Sequence, residues 1–307
     1  MTAFIRVLFV CIAVPLTATA ALEQQLRPLA PLTLRVTTRA RAMKQGEVIL
    51  VTVRPSRDVS SVEAGAFATP IEFWSTANGR EWQGLAGIPI DADTGRRDLV
   101  VTATTADHLT ALQRVPLQVG KTAFAARRLT VDPQFVDPPA SEVDRIIDEQ
   151  KRLETLFATT RPGRRWDGGW TPPVPGMPTS SFGRQSILNG AVRGRHQGAD
   201  FRAATGTPIH APAGAEVVLA EPLYFSGNTV ILDHGDGLYS LFAHLSKTTV
   251  ATGTQVSRGD LLGEVGATGR VTGPHLHWAV RLHNVSVDPL SLIYAVAATG
   301  ASPAKRP

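Results

Sequence analysis

The chain has 307 residues, 43% of them hydrophobic and 19% charged, with a formal net charge of +5 and an isoelectric point near 9.8. That length supports one large domain or two ordinary ones, and that composition excludes a disordered or fibrous chain. The basic surplus favours polyanionic partners; the charges are nonetheless scattered, apart from short clusters such as "RPGRR" at 161–165, so much of the surplus reads as a solvated surface.

Residues 1–20 read as a secretory signal peptide. Arg6 supplies the positive start, Val7 to Leu16 the short apolar stretch, and Ala18-Thr19-Ala20 the small-residue cleavage signal; the stretch is too short for a comfortable membrane span. The only cysteine, Cys11, lies inside this segment, behind Val10 where lipid attachment would want a small residue. The expected mature chain therefore makes no disulfide, and a metal site in it must use His, Asp or Glu. No later segment reaches spanning length without charge.

Residues 21–130 are β-like. "LTLRVTTRARA" alternates clearly, "GEVILVTVRP" less so, and Asn78-Gly79 is a hairpin signal. Short strands at regular spacing predict an immunoglobulin-like β-sandwich, with Trp74 and Trp82 as core or hairpin residues. Residues 138–160 predict a linking helix. Pro138 and Pro139 precede it, Ser141 is its expected N-cap with Asp144 three residues on, and Val143, Ile146, Ile147, Leu153, Leu156 and Phe157 fall near one face. Its expected job is to pack the first domain against the second, since two heptads are few for a coiled coil.

Residues 161–295 open on a Pro- and Gly-rich stretch and continue as short apolar strands between glycine turns, with no helical periodicity, so an antiparallel β domain is expected; residues 296–307 read as a disordered tail. Seven of the eight histidines fall between His196 and His283. In "GRHQGADF", His196 and Asp200 are four apart, a spacing that shares a face on a helix or a strand. In "TGPHLHWAV", His275 and His277 are two apart and project side by side from a strand. His196, Asp200 and one of that pair make a His₂Asp set, and three protein ligands with water completing the shell is the open coordination of catalytic zinc. The other imidazole of the pair then moves protons; the residues alone leave open which does which. His108, His210, His234 and His283 read as structural or exposed, and Tyr239 as core.

The segments "SSFGRQ", "GRHQGADFRAATGTPIHAPAGAEV", "GNTVILDHGDGLYSLFAHLS", "VSRGDLLGEVGATGRVTGPHLHWAV" and "VDPLSL" resemble, in order and spacing, the catalytic domain of lysostaphin-type zinc metalloendopeptidases, which hydrolyse peptidoglycan. The resemblance covers about Trp166 to Leu292. It implies one Zn²⁺ per chain held by His196, Asp200 and His277, with His275 as general base and His244 as a second catalytic histidine at the oxyanion. It implies the peptide stems or cross-links of peptidoglycan as partner, with no nucleic acid, and a place in the periplasm or cell envelope. Some relatives have lost ligands and act as non-catalytic activators of other wall hydrolases; no ligand or catalytic position departs here.

Overall fold

A computed structural model describes residues 30–76 and 79–297. The expected signal peptide, Asn78 of the expected hairpin and residues 298–307 of the expected tail lie outside the described residues; Val296, expected to begin that tail, is instead fully buried at the end of a helix. Every regular element lies in the unit that begins at Thr33; Ala30 to Leu32 hold none.

Eight strands build the N-terminal β-sandwich: β1 (Leu34–Arg39), β2 (Val48–Pro55), β3 (Ser61–Ala66), β4 (Thr69–Ile71), β5 (Phe73–Ser75), β6 (Trp82–Gly87), β7 (Gly95–Thr104) and β8 (Thr110–Val119). They form two four-stranded antiparallel sheets, β1-β2-β6-β5 and β4-β3-β7-β8. The weak alternation of β2 has a physical cause. Ile49, Val51 and Val53 face the sandwich core, while Val48 and Leu50 join the core of the C-terminal half. A strand buried on both faces reads as a continuous apolar run. Leu85 and Ala86 of β6 divide the same way.

After β9 (Ala126–Leu129) and a single 3₁₀ turn at Pro133–Phe135, helix α1 (Ala140–Ala158) begins directly behind Pro139, which is its N-cap. Ser141 therefore lies inside the first turn and caps nothing; helix ends read from sequence carry an error of this size. The helix also does a different job from the one expected. Phe157, Leu153 and Leu156 pack on Leu219, Leu223, Ile231 and Tyr239, all of the C-terminal half. Buried Glu149 accepts from the backbone N–H of Tyr224 at 2.8 Å and from Arg145 at 2.8 Å. Val143 and Ile147 stay exposed. Through this face the helix buttresses the C-terminal half, where packing of one domain against the other was expected.

The C-terminal half is antiparallel β. It comprises β10 (Gln185–Leu188), β11 (Ala191–Arg195), β12 (Gly198–Phe201), β13 (Pro208–His210), β14 (Ala215–Leu223), β15 (Gly227–Asp233), β16 (Leu238–Thr248), β17 (Gln255–Val256), β18 (Leu261–Val265), β19 (Leu276–Leu282) and β20 (Val285–Val287). The main sheet runs β12-β19-β16-β15-β14-β17, with β13, β18 and β20 attached off that path. A smaller sheet, β11-β10-β9, takes its outer strand from upstream of α1, running parallel to β10. Against the expected absence of helix, a short α2 (Pro289–Val296) closes the half; Asp288 caps it by accepting from Leu290 N–H. Its hydrophobicity nearly all round hid the period, because most of its residues are buried.

The sandwich and the C-terminal half share one hydrophobic cluster. Val48, Leu50 and Leu85 lie in it with Trp166, Val287, Leu292 and Val296. Around it, the N–H of Val48 donates to Ser291 Oγ at 2.7 Å, and Arg41 ion-pairs with both Glu47 and Asp288.

Candidate active site

Strand β19 sorts its side chains strictly. Leu276, Trp278 and Val280 are fully buried in the core. His277, Ala279 and Arg281 therefore face the opposite side, where they line an open groove of about 1600 Å³. His275, just before the strand, bridges Gly266 and shares the side of His277. Strand β12 runs antiparallel beside β19 with Asp200 directly opposite His277 and Gly198 opposite Ala279. Residues so paired present neighbouring side chains on one face. A Cβ on Gly198 would stand 2.8 Å from His277 Cε1 and 2.9 Å from its Nε2. The glycine leaves room for the imidazole.

Three donor atoms converge. His196 Nε2 lies 2.8 Å from Asp200 Oδ1 and 3.0 Å from His277 Nδ1, and His277 Nδ1 lies 2.9 Å from the same Oδ1. The backbone decides what those atoms carry. His196 Nδ1 is 3.0 Å from the carbonyl of Ser181, which can only accept. Its proton is therefore on Nδ1, and Nε2 points a lone pair at a carboxylate oxygen and a second imidazole. Such a triangle needs a cation at its centre, either a shared proton or a metal. A tetrahedral metal with bonds of about 2.0–2.1 Å would set such atoms about 3.3 Å apart, so a few tenths of an ångström of opening fits one. Among the described residues, His196, Asp200 and His277 are the one group so placed. Burial opposes ionisation of Asp200, but its close contacts with the His196 and His277 imidazoles outweigh that and hold the carboxyl well below the usual carboxylate range. Burial also pushes the His277 imidazole down, against the hydrogen bond to Asp200.

The remaining two histidines flank the triangle. His275 Nδ1 is 2.8 Å from the Gly273 carbonyl, so that nitrogen donates and Nε2 is left to face Asp200 Oδ1 at 3.8 Å. His244 arrives by a less obvious route. Its predecessor Ala243 pairs with His277, so plain alternation would turn His244 into the core. Its φ is +68° instead, and β16 changes partner there, from β19 to β18. This bulge re-aims the side chain. The His244 ring comes to 4.9 Å from that of His275 and 6.0 Å from that of His277. Its Nδ1 donates to the Thr268 carbonyl at 2.9 Å, and burial, with lesser repulsion from His277 and His275, pushes its pKa down to about 3.

All five expected site residues thus lie together. His234 is fully buried, bridging the Gly214 carbonyl and Ser240 Oγ at 2.9 Å each. Tyr239 is buried against Phe157, its hydroxyl donating to the Thr159 carbonyl at 2.6 Å. His210 is exposed on its strand.

The sequence gives no sign of several other participants. Arg127, on β9, reaches Asp200 Oδ2 and Ser180 Oγ at 2.9 Å each. The carbonyls of Ser181, Thr268 and Gly273 fix imidazole tautomers, and a carbonyl leaves no mark in the residue type. The groove walls also come from elsewhere in the chain: Leu129 and Val131 near β9, and Leu153, Glu154 and Phe157 of α1.

A model described as Peptidase family M23 matches residues 194–289. The chain is similar to a solved structure described as an M23 peptidase from Pseudomonas aeruginosa, at 32% identity and a TM-score of 0.64, over 84% of this chain and 97% of that one. It is 40% identical over 97 residues to the DD-carboxypeptidase/endopeptidase Mpg of Neisseria meningitidis serogroup B, which is 32% of this chain and 22% of that protein. It is 39% identical over 95 residues to the peptidoglycan DD-endopeptidase ShyA of Vibrio cholerae, which is 31% of this chain and 22% of that protein. The matched part thus spans about a fifth of the length of these two curated relatives.

Proposed function

The chain belongs to peptidase family M23, and on that premise we propose that it is an exported zinc endopeptidase that cuts the peptide part of peptidoglycan. The observation that carries the reading is the triangle of His196 Nε2, Asp200 Oδ1 and His277 Nδ1, with His275 and His244 aimed at it. These three residues would hold the zinc. A zinc ion so held lowers the pKa of a water towards ~7 and polarises a carbonyl oxygen.

The chain's own groups supply the proton traffic. With Nδ1 committed to the Gly273 carbonyl, His275 takes the proton of the attacking water at Nε2 and returns it to the leaving amine. His244 has Nδ1 committed to Thr268, so it donates to a developing oxyanion only from a protonated Nε2. Burial opposes that proton in the resting site, and the negative charge growing on the scissile carbonyl oxygen is what would hold it there.

Substrate charge follows from the walls. Arg184, Arg195, Arg202, Arg270 and Arg281 line the groove, against Glu154 and Asp200 as its acids. That balance suits a peptide with free carboxylates, and favours a D-alanyl–diaminopimelate cross-link over a neutral glycine bridge. Export rests on the N-terminal sequence. No helix among the described residues is long and apolar enough to cross a membrane. The test is release of soluble muropeptides from purified sacculi, its loss on chelation and its return with zinc. Sacculi that stay intact while a pentaglycine peptide is cut would overturn the choice of substrate. Zinc uptake without any peptide cleavage would favour a non-catalytic activator.

A further inference from the structure

We propose that Arg127 is a positioning residue of the metal centre, which makes that centre depend on a strand outside residues 194–289; the inference rests on the metallopeptidase reading. The two oxygens of Asp200 have separate partners. Oδ1 meets His196 and His277 at 2.8 and 2.9 Å. Oδ2 meets the Arg127 guanidinium at 2.9 Å. Among the described residues, Arg127 is the one arginine or lysine in an ion pair with Asp200. The same terminal nitrogen of Arg127 donates to Ser180 Oγ at 2.9 Å, and its Nε reaches Ser186 Oγ at 3.5 Å.

The backbone keeps the guanidinium where it is. Arg127 pairs in register with Ser186 in the parallel β9–β10 ladder. Ser180 bridges Asp200 through the main chain, the N–H of Asp200 donating to the Ser180 carbonyl at 2.9 Å. The carboxylate is thus gripped through both its side chain and its backbone, and it cannot turn Oδ2 towards the imidazoles without breaking the ion pair. The carboxylate plane is fixed, and one oxygen is reserved for the triangle.

A cation beside a metal ligand has two opposed effects. Its charge repels a metal ion, and its hydrogen bond orients the ligand. The side chain of Arg127 is only 21% exposed, so screening removes little of the repulsion, but the arginine sits on Oδ2 and leaves Oδ1, the oxygen the triangle uses, fixed in place. Orientation wins, in line with the ~10–100-fold that partners of metal ligands contribute to metal affinity.

The experiment is zinc affinity by competition with a chromophoric chelator, together with the visible absorption of the Co²⁺-substituted protein, for wild type, Arg127→Ala and Arg127→Lys. Arg127→Ala is expected to weaken zinc about 10–100-fold while the metal-free protein still melts cooperatively. Arg127→Lys keeps the charge but loses the guanidinium geometry, and is expected to fall between the two with a cobalt band shifted from wild type. If Arg127→Ala fails to fold, the Lys variant carries the test. Wild-type affinity and an unshifted band in the variant that folds would overturn the proposal, as would tighter zinc binding on removal of the arginine. A wild-type chain that takes up no metal would sink the metallopeptidase reading itself, and this inference with it.

Discussion

A methyl group on Gly198 would sit 2.5 Å from the Trp278 carbonyl oxygen and within 3 Å of the His277 ring. Neither neighbour can move freely, since Trp278 is fully buried and His277 is pinned against Asp200. Gly198→Ala should therefore cost about 1–3 kcal/mol of stability by overpacking and weaken metal binding as His277 is displaced. Thermal melts and a zinc titration check this; an unchanged melt with unchanged affinity would contradict it. Individual residues are also where the sequence was most legible. Paired spacing placed His275 with His277 on one face, because strand alternation is rigid; it also put His196 with Asp200, although His196 lies in the short connection between β11 and β12 and not on a strand. Choosing between His275 and His277 as ligand needed the family resemblance. The structure offers a local reason for that choice: it is His277, not His275, that pairs across the ladder with Asp200. What spacing could not show is the left-handed turn at His244, since a bulge is set by where a strand changes partners and not by residue type. Arg127 was invisible for a related reason: its contact with Asp200 joins positions 73 residues apart.

Strands β14, β15 and β16 are stitched at one end by His234, whose ring also packs tilted against Trp170 at 4.3 Å between centroids. Burial pushes its pKa down from 6.5 to about 3. The folded state thus binds fewer protons than the unfolded chain at any pH between those values. Stability falls as pH drops from about 6.5 towards 3, at up to ~1.4 kcal/mol per pH unit, and is unaffected by this group above 6.5. In His234→Gln the acid-side slope of stability against pH should flatten, read by denaturant melts of the metal-free protein; an unchanged slope would contradict it. Elements were legible to different degrees. The sandwich strands and α1 announced themselves by period and by the double proline. The role of α1 did not, because an amphipathic face records that something is covered and not what covers it. Here the cover is a β-sheet, and the buried Glu149 on that face binds the backbone of Tyr224, a polar anchor that a hydrophobic pattern cannot report.

The two halves of the molecule share a core, and that decides what can be cut away. Removing everything before residue 161 would bare the side of Trp166, Val287 and Leu292 covered by Val48, Leu50 and Leu85. It would also uncover Ile231 and Tyr239 beneath α1 and remove Arg127 from Asp200. A fragment of residues 161–307 should therefore aggregate or melt without cooperativity, and should bind zinc far more weakly than the full chain. A fragment with a sharp melt and full zinc affinity would show the accessory half to be dispensable. The N-terminal sandwich is then a structural partner fused through a common core, and the groove elements that could regulate access are β9 and α1, which line it. The central claim is that His196, Asp200 and His277 hold one catalytic zinc, and the most direct test is zinc stoichiometry measured beside muropeptide release from sacculi for wild type and His277→Ala. The account predicts one zinc per wild-type chain with release, and both lost in the variant. Release that survives in a zinc-free His277→Ala protein would contradict it.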